Sequence, residues 1–244
     1  MAELMERYRA ARKDGDLVVL EGLHALKHAL RFGAELLHAA TADADALEVL
    51  ASRLCPDVRE RILDLVEPVD APLFRTLAPV PPDTGVMALA CRPRMDPAAL
   101  LDAAGAAPVV LLEEPSHPGN VGAAVRVAAA AGAAGFLVLG MLDPWRPAAV
   151  RGGAGLQFAL PTRRLARLPA HTRPLVAVTA DGSPLRSGTL PARALLAFGS
   201  ERRGLSPELR QAAALTVGIP MREGVSSLNL ATAVAVALYM GGGS

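Results

Sequence analysis

Short apolar runs alternate with helix-like segments along the second half of the chain. Five such runs, rich in Val, Leu, Ile and Phe, lie at Val109–Glu113, Phe136–Leu139, Leu175–Thr179, Leu195–Phe198 and Leu215–Ile219. A strand that is apolar on both sides is buried on both faces, as in a parallel sheet covered by helices. The pattern therefore predicts an α/β domain with a parallel sheet. Ligands of such sheets bind beyond the carboxyl ends of the strands, so we expect a functional site in the loops that follow these runs.

The first half of the chain predicts a smaller α/β unit. Its apolar and charged positions indicate a helix near 3–13, a strand at Leu17–Leu20, a helix at Gly22–Phe32, a strand near Glu35–Ala40, two further helices and a strand at Gly85–Ala90. A stretch rich in proline, glycine and small residues follows at about 91–107. We therefore predict two domains, 1–95 and 107–244, joined by a linker at 96–106.

Composition and charge narrow the class of protein. The chain has 244 residues, of which 52% are hydrophobic and 3% aromatic, which excludes a disordered chain and a small disulfide-dependent protein. Residues 1–98 carry 12 Lys and Arg against 16 Asp and Glu, whereas residues 99–244 carry 13 against 8. The second half is therefore the better candidate for contacting an anion, although its excess is far below that of a polycationic nucleic-acid-binding arm.

The sequence offers no sign of a metal site, a disulfide framework or a membrane span. Cys55 and Cys91 are too few and too far apart, and no His and acidic residues cluster at ligand spacing. The N-terminal residues are charged and lack the apolar stretch of a signal peptide. The apolar run at 121–142 is interrupted by an arginine and four glycines, and the final helix, near 228–240, is too short to span a bilayer. We expect a cytoplasmic protein.

The loop after the first apolar run, from Glu114 to Gly122, leads into a helix that carries Arg126. Asn120 and Gly122 have a structural explanation, in which the asparagine caps the helix and the glycine permits close packing. Arg126 is harder to explain in this way, because its helix is otherwise rich in Ala and Val. A guanidinium is costly in a dry core unless acceptors or an anion meet it. We therefore expect Arg126 to face a cleft.

Two further loops follow strand-like runs. The loop Gly199–Gly204, with the sequence GSERRG, places the Glu201 carboxylate at a strand end, but it has neither the lysine of a phosphate-binding loop nor a dinucleotide-binding glycine fingerprint. A surface turn with solvated charges is the alternative explanation. The third loop starts at Ile219 and leads through two serines and Asn229 into a helix that is apolar all round. Either serine can cap this helix, which must be buried by its own domain or by a partner subunit.

Taken together, the three loops resemble the TrmH (SpoU) family of the SPOUT superfamily of RNA ribose methyltransferases. The first family motif, Asn-x-Gly-x-x-x-Arg, matches Asn120, Gly122 and Arg126. The second, Gly-x-Glu-x-x-Gly, matches Gly199, Glu201 and Gly204. The third, Ile-Pro-Met followed by Ser-Leu-Asn, matches Ile219–Met221 and Ser227–Asn229. The resemblance covers about 107–240. It extends more loosely to Leu20–Leu30 and Asp83–Ala88, which resemble a small ribosomal-protein-like domain that binds RNA, and it departs from the family at Gly153, where a serine is usual.

This resemblance implies an α/β fold in which a small ribosomal-protein-like α/β RNA-binding domain precedes a C-terminal parallel-sheet SPOUT domain with a deep trefoil knot. Such a knot runs against the general rule that chains avoid knots. The resemblance also implies that S-adenosylmethionine is the cofactor, held largely by backbone groups at Thr179, Gly199, Ile219 and Leu228, and that no metal is required. Members of the family are homodimers with the last helix at the interface, which agrees with the apolar helix near 228–240.

The implied reaction is methylation of a ribose 2′-hydroxyl, and the resemblance implies roles for the motif side chains. Arg126 would stabilise the oxyanion or bind an adjacent phosphate, because a guanidinium holds its proton and is a poor base. Asn120 would orient Arg126 or the ribose, and Glu201 would fix an arginine or a ribose hydroxyl. Ser227 and Asn229 would complete the cleft around the hydroxyl.

A structured RNA is the expected substrate, because aromatic residues that stack on single strands are scarce. Family analogy favours ribosomal RNA over tRNA. His24, Lys27, His28 and Arg31 are candidates for phosphate contacts, with a solvated helix face as the alternative, and His117 is interpreted as a surface residue. Two other functions stay open: a non-catalytic RNA-binding or ribosome-assembly protein on the same fold, and a dinucleotide-dependent enzyme, which the missing glycine fingerprint disfavours.

Overall fold

The computed structural model describes residues 2–241. The predicted domains 1–95 and 107–244 also include Met1 and residues 242–244, which lie outside the described residues. The elements of the first part of the chain are α1 (Ala2–Ala11), β1 (Leu17–Glu21), α2 (Leu23–Arg31), β2 (Leu36–Thr41), α3 (Ala44–Leu54), α4 (Arg59–Leu65), β3 (Val66–Pro68), α5 (Ala71–Thr76) and β4 (Val86–Cys91). The strands form one sheet in the order β1-β4-β2-β3, in which β2 and β3 are parallel and the other two pairs antiparallel. The helices and strands predicted for this half are present, and β3 and α5 are additional.

The second part of the chain is built around a six-stranded sheet. Its elements are α6 (Pro97–Asp102), β5 (Val109–Glu113), α7 (Pro118–Ala130), β6 (Gly135–Leu139), α8 (Pro147–Gly152), a short 3-10 helix (Leu156–Ala159), β7 (Thr162–Leu165), β8 (Leu175–Pro184), β9 (Leu195–Phe198), α9 (Pro207–Ala212), β10 (Leu215–Gly218) and α10 (Leu230–Gly241). The strand order is β10-β8-β9-β5-β6-β7, and every neighbouring pair is parallel. The predicted α/β class with a parallel sheet is confirmed.

One strand of this sheet was not predicted. The edge strand β7 has the sequence TRRL, with Arg163 and Arg164 both exposed. A search for continuous apolar runs misses such a strand because it is buried only at its two ends.

The strand order explains where a ligand would bind. From β5 the chain proceeds to β6 and β7 on one side of the sheet, whereas β9, β8 and β10 lie on the other side. The order thus reverses between β5 and β9, and in open parallel sheets ligands bind at the carboxyl ends of the strands beside such a reversal. On one face of the sheet, α7 and α10 pack against each other and share a core that includes Val125, Phe136 and Val234.

The described residues form two compact units, and the boundary after Arg94 lies close to the predicted one, whereas the assignment of 145–159 was not predicted. Residues 145–159 belong with the residues up to Arg94, and the second unit consists of Met95–Pro144 and the residues from Leu160 onward. Segment 145–159 packs within the first unit through an edge-to-face contact of Trp145 with Phe158, whose ring centroids are 5.0 Å apart, and these two side chains join the core around α2.

Glycine is required where this segment meets α2. Gly155 has a φ of +77°, and a Cβ atom there would lie 2.5 Å from the Ala25 carbonyl oxygen. The neighbouring Ala154 carbonyl oxygen lies 2.7 Å from His28 Nδ1. At Gly153, where a serine is usual in the family, a Cβ atom would lie 2.7 Å from Gln157 Oε1, so a larger residue there requires the Gln157 side chain to shift.

The region predicted as a linker is partly folded. Residues 96–106 include α6, which Asp96 caps by accepting a hydrogen bond from the Ala98 amide. The Leu101 side chain is fully buried in the core of the second unit, so the first part of the presumed linker belongs to that unit. Among the described helices, none is long and apolar enough to cross a membrane.

Candidate functional site

The loops that carry the three motifs meet at the carboxyl edge of the six-stranded sheet. There the second and third motifs, together with residues 178–181 of β8, line a cavity of about 560 Å³. Seven of the nine predicted site residues line it, namely Thr179, Gly199, Glu201, Ile219, Ser227, Leu228 and Asn229. The structure therefore brings together segments that lie up to 50 positions apart in the sequence.

The loop after β9 has its shape because two of its residues are glycines. A Cβ atom on Gly199 would lie 1.9 Å from the Gly204 carbonyl carbon, and Gly204 itself has a φ of +67°. Ser200 and Gly204 exchange two backbone hydrogen bonds, of 3.2 and 3.0 Å. This tight turn holds the backbone of Glu201 at the cavity wall, which is a physical reason for the spacing Gly-x-Glu-x-x-Gly.

A second close backbone approach lies between β8 and β10. The pairing of β8 with β10 jumps from Ala177 to Ser183, so residues 178–182 leave the ladder. A Cβ atom on Gly218 would lie 2.9 Å from both the Thr179 and the Gly182 carbonyl oxygens. The backbone that enters the third motif thus passes directly against the loop that carries Thr179.

Asn120 links the first motif to the other two. Its Nδ2 donates to Glu201 Oε1 at 2.8 Å, and its Oδ1 accepts from Asn229 Nδ2 at 3.1 Å. The Ser116 amide donates to Glu201 Oε2 at 3.0 Å. Asn120 does not line the cavity itself, but it fixes two side chains that do.

The structure decides between two capping alternatives left open above. The residue preceding the first turn of α7 is His117, so Asn120 is not its cap. At the start of α10, Asn229 Oδ1 accepts from the Ala231 amide at 2.9 Å, so Asn229, not Ser226 or Ser227, provides the cap. Asn229 therefore serves both the helix and the motif network.

The environment of Glu201 keeps its carboxylate ionised. Partial burial raises the pKa of Glu201, but the hydrogen bonds from Asn120 and Ser116 together outweigh burial, so this pKa lies below its ordinary value. Both of these donors are uncharged, so the negative charge of Glu201 is solvated and oriented without being neutralised.

The single chain does not place Arg126 in the cavity, so its position in a cleft stays a prediction. Its side chain is exposed, lies outside the cavity wall and has no hydrogen-bond or ion-pair partner among residues 2–241. Arg126 comes six residues after Asn120, which at about 100° per residue places it about 240° further around the helix. The expectation that Asn120 orients Arg126 is wrong for the same reason, because the Asn120 amide binds Glu201 and Asn229.

The basic residues singled out on α2 are largely engaged in structural contacts. Arg31 makes two hydrogen bonds of 2.6 Å to Asp57, and Lys27 Nζ donates to the Leu54 carbonyl oxygen at 3.4 Å. Together with the contact of His28 to Ala154, these bonds give three of the four residues protein partners, which neither the phosphate-binding role nor the solvated helix face predicted.

Two charged residues of the cavity were not predicted from the sequence. Asp181 and Arg210 line it, and Arg210 Nη2 lies 2.6 Å from Asp181 Oδ2. The position of Asp181, two residues after the apolar run of β8, was an available signal, since polar residues after parallel strands point to ligand sites. Arg210, in the middle of α9, has no such signature.

Comparisons with known proteins agree with the three motifs. The SpoU rRNA Methylase family model matches residues 107–239, more than half of the chain. The 23S rRNA (uridine(2479)-2′-O)-methyltransferase of Streptomyces viridochromogenes is 37% identical over 145 residues, which are 53% of this chain and 50% of that protein. The 23S rRNA (guanosine-2′-O-)-methyltransferase RlmB of Acinetobacter baylyi is 30% identical over 203 residues, 74% of this chain and 82% of the relative. The chain thus spans about half the length of some curated relatives and most of others.

The solved structures extend this similarity to nearly the whole chain. The SpoU methyltransferase AviRb from Streptomyces viridochromogenes, solved in complex with AdoMet, is 26% identical with a TM-score of 0.75 over 96% of this chain and 95% of its own. An AdoMet-bound rRNA methyltransferase from Sinorhizobium meliloti is 25% identical with a TM-score of 0.73 over 97% and 92%. The family predicted from the motifs is thereby confirmed, and the chain belongs to the SpoU rRNA methylase family.

Proposed function

We propose that this protein transfers the methyl group of S-adenosylmethionine to a ribose 2′-hydroxyl of structured RNA, and to ribosomal RNA in preference to tRNA. The observation that carries the proposal is the convergence of the second and third motifs on one cavity, where the wall residues Glu201 and Asn229 are both hydrogen-bonded to Asn120 of the first motif. Relatives named as 23S rRNA 2′-O-methyltransferases and the AdoMet complex of AviRb support the substrate and the cofactor.

The residues present fit this cofactor. A cavity of about 560 Å³ is within the usual range for small-molecule sites. Thr179 Oγ1 is buried and has no described residue within hydrogen-bond geometry. It lies close enough to Asp181 to help lower the pKa of that carboxyl, after the larger effect of Arg210. A ligand polar group would satisfy the Thr179 hydroxyl. Gly199, Ile219 and Leu228 bring backbone to the same wall, and the sulfonium of S-adenosylmethionine supplies an electrophilic methyl group when bound.

The side chains of the site position the ribose. The ionised Glu201 carboxylate accepts a hydrogen bond from a ribose hydroxyl while Asn120 and Ser116 hold it in place. The Ser227 hydroxyl and Asn229 line the same wall and complete the ribose contacts. Orienting the nucleophile for in-line transfer accounts for most of the catalytic task.

The proposal includes a homodimer that uses α10. Tyr239 and Met240, near the end of this apolar helix, have 65% and 40% of their surface exposed in the single chain. Because α7 packs against α10, a dimer formed through α10 brings the exposed Arg126 to the partner subunit. We therefore assign Arg126 to the partner's RNA-bound site, where its guanidinium stabilises the developing oxyanion or binds the adjacent phosphate.

Three finer features are proposed on the strength of family membership. The close approach of Gly218 to Thr179 and Gly182 supports a deep trefoil knot around residues 178–182. The four-stranded α/β sheet supports a ribosomal-protein-like RNA-binding role for residues 1–95. An RNA substrate of ribosomal origin also supports the predicted cytoplasmic location.

The test is methyl transfer from labelled S-adenosylmethionine to bulk ribosomal RNA and tRNA, with the product mapped to ribose or base. We expect ribose label in ribosomal RNA, and a loss of about a hundredfold or more in Arg126→Ala, because removal of one group that stabilises the transition state costs roughly 2.7–4 kcal/mol. Arg186→Ala is the matched control, since Arg186 is also exposed in the second unit and lies outside the cavity.

The results that contradict the proposal are distinct. Failure to bind the cofactor overturns the proposed reaction and leaves the non-catalytic RNA-binding protein. Label on bases only overturns the ribose 2′-hydroxyl as the methylated group. Transfer that is equal in Arg126→Ala and wild type overturns the role of Arg126 alone.

A further inference from the structure

The cavity wall carries one ion pair that the proposed ribose contacts do not use. Asp181 lies in the segment 178–182, which leaves the ladder with β10, and Arg210 lies on α9. The two side chains meet at 2.6 Å beside the cavity. We propose that Asp181 and Arg210 form the subsite for the amino-acid end of the cofactor, with Arg210 binding its carboxylate and Asp181 its ammonium group; this rests on the proposed function.

The charges that line the cavity match this ligand. Asp181, Glu201 and Arg210 are the charged residues among its described lining, which gives a net charge of −1. S-Adenosylmethionine carries a sulfonium, an ammonium and a carboxylate, which gives +1. The net negative charge of the lining would repel an anionic dinucleotide. The lining therefore favours a zwitterion that carries an additional positive charge.

Arg210 is the cation in the described lining that can receive a carboxylate. A guanidinium binds a carboxylate through two parallel hydrogen bonds. Glu201, the other acidic residue of the lining, is assigned to the ribose hydroxyl in the proposed function, so Asp181 is the carboxylate that is left to receive an ammonium group. The apolar side chains of Phe198, Leu205 and Ile219 in the same wall suit the base at the other end of the ligand.

The pair can change partners at little cost. The side chains of Arg210 and Asp181 are 44% and 66% exposed, and such exposed ion pairs contribute only about 0–1 kcal/mol to stability. An incoming zwitterion replaces one ion pair by two, each with complementary charge. The pair keeps the subsite aligned before binding, because each side chain already points toward a group of the sign that it will contact.

The experiment compares two ligands that differ at this end. S-Adenosylhomocysteine has the amino-acid group, whereas 5′-methylthioadenosine lacks it, and binding of both is measured by calorimetry. We expect Arg210→Gln to weaken S-adenosylhomocysteine binding about tenfold or more, since a hydrogen bond to a charged group contributes roughly 1.5–3 kcal/mol. Binding of 5′-methylthioadenosine should change less than about twofold. Asp181→Asn should show the same selectivity with a smaller loss, and Arg186→Gln is the control.

A charge-swapped variant separates recognition from a purely structural tie. Asp181→Arg combined with Arg210→Asp restores an ion pair with reversed polarity. If the pair only joins β8 to α9, this variant regains the affinity for both ligands, and the proposal is overturned. Equal losses for both ligands in the single variants, or no loss for S-adenosylhomocysteine, also overturn it. If neither ligand binds the wild type, the proposed function itself fails.

Discussion

Two glutamates, one in each unit, join distant segments of the chain in different ways. The Glu21 side chain is only 3% exposed and accepts hydrogen bonds from two guanidiniums, those of Arg12 and Arg151. Arg151 belongs to the segment 145–159, so this carboxylate ties that segment to β1. Its charge is neutralised by two cations at close range.

Glu201 also joins distant segments, but its donors are neutral. The Asn120 amide and the Ser116 backbone orient the carboxylate and leave its charge unneutralised beside a cavity. The contrast teaches that the donor type, more than burial alone, distinguishes a structural carboxylate from one prepared for a ligand. A buried carboxylate between arginines stabilises packing, whereas an oriented carboxylate between amides can still attract a hydroxyl or a cation.

The largest expected effect comes from removing the charge of Glu21. Glu21→Gln leaves two guanidiniums without their counterion, and the loss of one partner of a buried pair costs about 3–5 kcal/mol. Because the Arg151 side chain is 55% exposed, we expect the lower end, about 3 kcal/mol of the free energy of unfolding. Urea unfolding followed by the fluorescence of Trp145, the single tryptophan and part of the first unit, measures this loss.

Glu201→Gln tests the other side of the contrast. We expect its free energy of unfolding to change by less than about 1 kcal/mol while methyl transfer falls about tenfold, as for the loss of a charged hydrogen bond. Glu60→Gln, on the exposed side of α4, is the control for both measurements. If Glu21→Gln and Glu201→Gln destabilise the protein equally, both carboxylates are structural and the contrast between them is wrong.

Much of this contrast was out of reach of sequence analysis. The apolar runs predicted β5, β6 and β9 closely because buried parallel strands have few polar positions. Spacing alone cannot show which donors surround a carboxylate, so the sequence did not indicate that Glu21 connects distant segments. It also did not indicate that residues 145–159 belong to the first unit. That placement depends on Gly155 lying against the Ala25 backbone, a contact between residues 130 positions apart.

The sequence indicated which residues surround the cavity better than it indicated how their side chains are directed. Thr179, Ile219 and their neighbours were correctly grouped because the motif loops follow parallel strands, whose carboxyl ends share an edge. The direction of Arg126 stays a prediction, because one stripe of α7 is exposed in the single chain and Arg126 lies on it. A side chain's direction depends on which faces are covered, and a partner subunit can change that.

An intermediate effect is expected at Asn229, which both caps α10 and donates to Asn120. Asn229→Ala loses both functions, so we expect a loss of about 1 kcal/mol in the free energy of unfolding together with slower methyl transfer. Asn229→Asp keeps the capping oxygen, favoured at a helix N-terminus, but has no donor for Asn120. Its stability should match wild type while transfer stays slow.

The control for capping is Asp96→Ala, which removes the cap of α6 outside the cavity. It should cost a similar free energy of unfolding and leave transfer unchanged. If Asn229→Asp transfers methyl groups as fast as wild type, the hydrogen bond to Asn120 has no functional role and the amide network loses one of its members.

The smallest effect concerns the pH dependence of Glu201. Because the pKa of Glu201 in the folded protein is depressed, its ionised form adds stability that is fully present above the unfolded pKa and is lost as pH falls through the folded value. Asn120→Ala removes the largest of the hydrogen bonds that lower this pKa, so the pKa of Glu201 in the folded protein rises toward its unfolded value. The variant should therefore lose less stability on acidification than wild type does, by less than about 1 kcal/mol because the carboxylate is solvent-accessible. Urea unfolding between neutral and acidic pH measures it, and in a Glu201→Gln background the same Asn120→Ala change should leave the pH dependence unaltered. A shift that persists in that background would assign the effect to another group and remove the amide-oriented carboxylate from the comparison.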